Sequence, residues 1–323
     1  MTTRKTTTTR KTVRKTNSTS GAKARTAAKA AKTVRAAKAV KSTRPAAKKA
    51  TRAASARGRK TEHILAVDVG GTGLKASIID AHGKMLTERV RVATPHPCTP
   101  GQLVDALVAL VQPIIATYPP TQISIGFPGF VRNNRVLTAP NIGVEGWHDI
   151  PLASAFAARL GDLPVRMIND AEMQGFAAIE GDGIEFVLTL GTGVGTAIFR
   201  DGELMPHLEL AHHPVSKGRA YDQYIGDAAR KKAGNKQWNR RVEKIIGILS
   251  SLVNYDKLWI GGGNAARLTF KLPPNVAVVS NDAGIEGGAK LWHPRSLRET
   301  RQLPDANRRT GAFAHPTAGN PRR

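Results

Sequence analysis

"LAVDVGGTGLKASIID", residues 65–80, sets an apolar run, a turn with three glycines and a threonine, and a second apolar run carrying a lysine one after another. The two runs read as strands, and Gly70–Gly73 is the turn between them. A tight hairpin needs one or two glycines, not three. Surplus glycines remove Cβ atoms and let backbone N–H groups converge on an anion, with the Thr72 hydroxyl as a further donor. Lys75 brings a positive charge to the same place. Asp68, at the end of the first strand, would repel a phosphate, so its use there is to hold Mg²⁺ directly or through water. Taken alone, the turn is equally well explained as an ordinary hairpin.

A second stretch changes that balance. "FVLTLGTGVGTAIFRDGELM", residues 186–205, repeats the layout, and the leading glycines Gly70 and Gly191 lie 121 residues apart. Neither turn has the P-loop spacing, and neither opens into a helix as a dinucleotide fingerprint does. Two such units predict two similar lobes facing a cleft, with a phosphate-binding turn on each wall. Gly70, Gly71, Thr72, Gly73 and Lys75 would form one wall, and Gly191, Thr192, Gly193 and Gly195 the other.

Between and beyond these units, strands alternate with helices. "GQLVDALVALVQPIIATY" carries one apolar helical face, Leu103, Leu107, Leu110, Val111, Ile114 and Ile115. "ISIGF", "VRMIND", "KLWIGG" and "VAVVSND" read as strands. "PLASAFAARLG", "AEMQGFAAIEG", a segment around 238–252 and "AGIEGGAKLW" read as helices. The alternation argues for α/β architecture.

The net charge of +25 is confined to the ends. Residues 1–60 hold 20 Lys and Arg and no acid, residues 294–323 hold 7 against 2, and residues 61–293 balance at 22 each. The expected organisation is therefore a Lys/Arg/Ala/Thr-rich tail over 1–60, a first lobe over 61–169, a second lobe over 170–293 and a basic tail over 294–323. Like charge with nothing to bury predicts disorder in both tails. The composition of the first resembles linker-histone-like tails. It suits sequence-independent, salt-sensitive binding of a polyanion; DNA, RNA and inorganic polyphosphate all fit, as does a solubilising tail with no partner. It has too few large apolar side chains for the amphipathic face of a transit peptide or for a helix-turn-helix. No apolar run reaches the ~20 residues of a membrane-spanning helix. The single Cys98 excludes an intrachain disulfide framework and fits a reducing compartment. The expected location is cytoplasmic; if DNA is the tail's partner, nucleoid association follows.

"DVGGTGLK", "APNIGVEGW", "INDAEMQG", "LTLGTGVG", "ELAH", "GGG" and "NDAGIEGGA" occur in the order found in the ROK family of sugar kinases, which this chain resembles over about residues 62–292. Within that family it is most similar to the bacterial polyphosphate glucokinases. The resemblance implies the two-lobed actin-like ATPase (ribonuclease H-like) fold, a homodimer, and transfer of phosphate from polyphosphate or ATP, with Mg²⁺, to the 6-hydroxyl of glucose or a similar hexose. Asp170 is then the base, and the sugar contacts are Asn141, Asn169, Asp170, Glu209 and His212. Asp222 stands in for a further sugar-binding acid of the family. Gly261, Gly262 and Gly263 lie between a strand and a helix where ATP-using relatives border the adenosine. Ala211 replaces the glycine of the family's E-x-G-H, and its Cβ is expected to shift that loop. No zinc site is expected, since the family's Cys-rich motif is missing. The competing reading is a sugar-binding protein of the same family that associates with nucleic acid through its tail.

Overall fold

The computed structural model describes residues 62–143 and 146–293; both basic tails lie outside the described residues. Strands β1 (Ile64–Val69), β2 (Leu74–Ile79) and β3 (Val90–Val92) form an antiparallel meander. Helix α1 (Pro100–Thr117) then carries the chain across the sheet to β4 (Gln122–Phe127), which pairs parallel to β1. Thr99 caps α1, its hydroxyl accepting from the Gln102 amide while Gln102 returns to the Thr99 N–H. Apolar as it is, α1 is a core helix, with Leu103, Val104, Leu107, Leu110, Val111 and Ile114 buried in the first lobe.

A small hairpin, β5 (Val131–Arg132) and β6 (Arg135–Val136), and helix α2 (Leu152–Ala158) precede β7 (Val165–Asn169), parallel to β4. The first sheet has the order β3-β2-β1-β4-β7. Helix α3 (Asp170–Ala178) follows β7 without a linker.

The second half repeats the plan. Strands β8 (Ile184–Leu190), β9 (Val194–Arg200) and β10 (Glu203–Leu204) form another antiparallel meander. A hairpin of β11 (Pro214–Ser216) and β12 (Arg219–Ala220) leads to α4 (Tyr221–Ile225), α5 (Asp227–Ala233) and the long α6 (Asn235–Val253). The last strands, β13 (Lys257–Gly261) and β14 (Val276–Val278), add in parallel and give the order β10-β9-β8-β13-β14. Each sheet thus has the strand order third, second, first, fourth, fifth. The repeat expected from two glycine turns is a repeat of whole sheets. The α6 face of Trp238, Val242, Ile245, Ile246 and Leu249 packs against β8 and β13 as α1 packs on the first sheet.

Two elements tie the halves together. Met173 and Phe176 of α3 pack against Val187, Ala197 and Phe199 of the second sheet. At the far end α7 (Ala283–Glu286) and the 3₁₀ turn Gly287–Trp292 return to the first sheet, where Ile285 and Ala289 bury against Ile64, Ala66 and Ile79. This last segment, expected with residues 170–293, therefore packs on the first lobe. Gly287 permits the return: a Cβ there would lie 1.8 Å from the Met173 carbonyl oxygen.

Candidate active site

Both glycine turns close in the same way. The Gly70 N–H donates to the Gly73 carbonyl at 3.0 Å, and the Gly191 N–H to the Gly193 carbonyl at 3.0 Å. Both line one cleft of about 650 Å³. A Cβ on Gly71 would sit 3.5 Å from Thr192 Cβ and 3.3 Å from the Asn141 carbonyl oxygen. A Cβ on Gly193 would sit 2.8 Å from Asn141 Nδ2 and 3.0 Å from Asp222 Oδ2. Asn141 therefore lies where the turns meet, and glycine is needed there for close approach, not for a left-handed backbone.

Each turn is braced from beneath. Thr94 Oγ1 donates to the Gly70 carbonyl at 2.6 Å, and the His96 ring bonds to the Gly71 carbonyl. On the other wall Asp222 Oδ1 accepts from the Val194 N–H at 2.6 Å, and Thr189 Oγ1 from the Gly195 N–H at 3.0 Å. Burial lifts the Asp222 carboxyl to about 6, with the Val194 amide opposing the rise. Asp222, expected to meet sugar, supports the second turn and is not among the residues lining the cleft.

Asp170 is the first residue of α3, and the helix cap is Asn169. Asn169 Oδ1 accepts from the Ala171 N–H at 2.8 Å, while its Nδ2 donates to the Gly129 carbonyl at 3.1 Å. Any hydroxyl meeting Asn169 meets an amide already fixed in orientation. With the cap supplied by its neighbour, Asp170 points into the cleft, partly accessible from it. Its carboxyl is pushed up to about 7, first by burial and then by the negative charge of Asp68 and, more weakly, Glu209. Asp68 itself is held by Lys75, Nζ to Oδ2 at 2.7 Å.

Glu209 lines the same cleft, and the facing His207 imidazole together with the hydrogen bond from the Ala211 N–H outweighs its burial to lower its pKa. His212 does not join it. The chain turns at Leu210–His213, closed by the His213 N–H to the Leu210 carbonyl at 3.0 Å, and this leaves His212 exposed and off the cleft lining. Ala211 takes the lining position in its place. It is buried and has no positive φ, so the backbone does not require the family's glycine there. Gly262 and Gly263 line the cleft, while Gly261 lies behind it against Gln174, where a Cβ would be 2.2 Å from Oε1.

Most of the positive charge at the cleft is not legible in the sequence. Besides Lys75, the cleft is lined by Arg89 and Arg91 from the β3 side and by Arg230, Lys231 and Arg267 from the second lobe. Asp227 pairs with Arg230 and Lys231, both at 2.8 Å; these partners outweigh its burial and take its carboxyl down to about 2. The alternation of "RVRV" and the basic run "ARKKAGNK" were the available signals, but neither says which way the side chains face. No aromatic side chain lines the cleft among the described residues, and the apolar lining is limited to Pro128, Pro140, Val194 and Ala211.

The ROK family pattern matches residues 64–208. The polyphosphate glucokinase of Mycobacterium tuberculosis is 28% identical over 243 residues, 70% of this chain and 90% of that protein. The solved structure of inorganic polyphosphate/ATP-glucomannokinase from Arthrobacter sp. strain KM is 30% identical, with a TM-score of 0.65 over 72% of this chain and 100% of its own. The chain belongs to the ROK family. Its fold is the actin-like ATPase fold of the ROK sugar kinases, and the two like-ordered sheets are its two lobes. N-acetylmannosamine kinase of Escherichia coli is 37% identical over a shorter stretch of 145 residues, 44% of this chain and 48% of that enzyme. Sugar phosphorylation is the chemistry common to these ROK relatives.

Proposed function

We propose that the protein is a ROK-family kinase that moves a phosphoryl group from inorganic polyphosphate to the 6-hydroxyl of glucose or a similar hexose. One observation carries this reading: Asp170, with its pKa near 7, lies in a cleft whose donor side holds two glycine turns and several cations, with no aromatic side chain among the described residues to seat a base. Nucleotide pockets generally present apolar or aromatic surface to the purine. A phosphate chain needs only N–H donors and positive charge, which Arg89, Arg91, Arg230, Lys231 and Arg267 supply together with the turns.

In this reading the sugar sits at the end formed by Asn141, Asn169 and Glu209, with its hydroxyl against Asp170. The proton of that hydroxyl passes to the Asp170 carboxylate, and its oxygen forms a bond to the terminal phosphorus. The bridging P–O bond breaks, and the donor leaves one phosphate shorter. A base contributes about 10²–10⁴-fold, most effectively with a pKa near working pH. Both turns are closed and braced before a donor arrives, the Gly70, Gly191, Val194 and Gly195 N–H groups being bonded within the protein, so their remaining donors would need little reorganisation as charge develops on the transferring phosphoryl.

Among the described residues no three His, Cys, Asp or Glu side chains are grouped for a metal. Mg²⁺ does not need such a cage, because it binds through one or two carboxylates plus substrate phosphates. Asp68 fits that use, since only one of its oxygens takes the Lys75 ammonium. There the ion would neutralise charge on the donor phosphates.

Initial rates with glucose and Mg²⁺ test the proposal, polyphosphate against ATP. Turnover with polyphosphate at a kcat/KM above that for ATP is the expected result. A preference for ATP would overturn the donor assignment, and no turnover with any hexose would overturn the kinase reading.

A further inference from the structure

His207 takes no part in the reaction above and does not line the cleft, yet it joins two parts of the site. Its side chain is only 8% exposed and lies between two carboxylates. Nδ1 bonds to Glu172 Oε1 at 2.9 Å, and Nε2 is 3.5 Å from Glu209 Oε2. Glu172, 7% exposed, uses its other oxygen to accept from the Asn169 N–H at 3.0 Å, completing the capping box of α3. Glu209 uses its other oxygen to accept from the Ala211 N–H at 3.1 Å. The Phe130 ring packs perpendicular to the imidazole at 5.0 Å between centroids, and the Arg132 guanidinium lies 5.7 Å from the Phe130 centroid. A continuous series of contacts therefore runs from the backbone beside Asp170, through Glu172 and His207, to Glu209.

We propose that His207 is a positioning residue of the sugar end, a cationic clamp that holds Glu209 in fixed register with the cap of the helix bearing Asp170. The proposal rests on the sugar-kinase reading of the cleft. A neutral residue at 207 would leave two mostly buried carboxylates facing one another, and Glu209 would swing toward the cleft to find water. The charge state agrees with the clamp. Burial would lower the imidazole pKa, but the hydrogen bond to Glu172 and the facing Glu209 carboxylate, 3.5 Å from an Nε2 that makes no hydrogen bond, reverse this and carry it to about 9. The other ionisable groups that act here include Asp170 and Asp222, which both feel the Glu209 charge, and the exposed His212, which weakly lowers Glu209.

The test compares His207→Gln, which retains bulk and one amide donor but no charge, with the full-length wild type. A mostly buried ion-pair partner lost from a sugar-orienting carboxylate predicts a glucose KM raised about 10-fold or more, with polyphosphate KM within about 2-fold. Wild-type glucose KM should also climb as pH rises through about 9, and this climb should be absent in the variant. Glu172→Gln should give the same glucose-specific defect, and the double variant should be no worse than either single one. Equal changes in both KM values, or a fall in melting temperature with unchanged glucose KM, would overturn the clamp. If His207→Gln does not fold, an unchanged glucose KM in Glu172→Gln overturns it. Should the wild type show no turnover, calorimetry with glucose separates the two ideas. Binding that weakens in His207→Gln keeps the clamp while the kinase reading falls, and binding unaffected by the substitution, or absent from the wild type, removes the clamp.

Discussion

Replacing Asp170 by Asn should stabilise the protein while disabling it, and the gain should depend on pH. A carboxyl raised from 3.8 to about 7 is less easily ionised in the folded state than in the unfolded chain. At about 1.4 kcal/mol per pKa unit, that difference costs the native protein at most about 4 kcal/mol. The cleft admits solvent, which screens the Asp68 and Glu209 charges, so a realised cost of about 1–2 kcal/mol is reasonable. Asparagine is nearly the same size, carries no charge, and keeps an oxygen for the Ala171 N–H that Asp170 accepts at 2.9 Å. For a body of this size the gain is about 3–6 °C in melting temperature.

The sign of the pH effect follows from proton binding. Below 3.8 both folded and unfolded carboxyls are protonated and the penalty vanishes; it grows as pH rises and is complete above about 7. Differential scanning calorimetry without substrate, in EDTA, should give the full gain at pH 8, a smaller one at pH 5 and almost none at pH 3. Turnover at pH 8 should fall about 10²–10⁴-fold. A gain that does not vary with pH, or a loss of stability at pH 8, would refute the burial argument. Turnover within tenfold of wild type would refute Asp170 as the base.

Wild-type kcat/KM should rise with pH through about 7 with unit slope as Asp170 ionises, read from initial rates at low glucose. Gly193→Ala places a Cβ 2.8 Å from Asn141 Nδ2 and 3.0 Å from Asp222 Oδ2, so it should displace Asn141 and cut kcat/KM by at least tenfold while costing about 1–3 kcal/mol of stability in urea unfolding. Arg267→Ala should raise polyphosphate KM several-fold and leave glucose KM alone, with a shallower dependence of log KM on log salt than wild type. Asp68→Asn should raise the Mg²⁺ concentration needed for half-maximal rate about tenfold, measured at fixed polyphosphate.

The parts of this protein read from sequence alone are those whose physics is local. Two runs of alternating apolar residues around Gly70–Gly73 and Gly191–Gly193 specify strand–turn–strand units whatever surrounds them, and their recurrence announces a fold of two like lobes. The step from β7 into α3 is local in the same sense: Asn169 and Glu172 form a capping box within four residues, which leaves Asp170 at a strand end facing the cleft. Tertiary structure decides what depends on which way a side chain faces. Arg91, Arg230 and Arg267 come to one cleft only because β3, α5 and the loop after β13 converge there, and no periodicity within any one of them encodes that. The different surroundings of His212 and His207 have the same origin. A turn at Leu210–His213 leaves the first exposed, while the packing of Glu172 on α3 against the segment after β10 buries the second between two carboxylates 37 residues apart, Glu172 and Glu209.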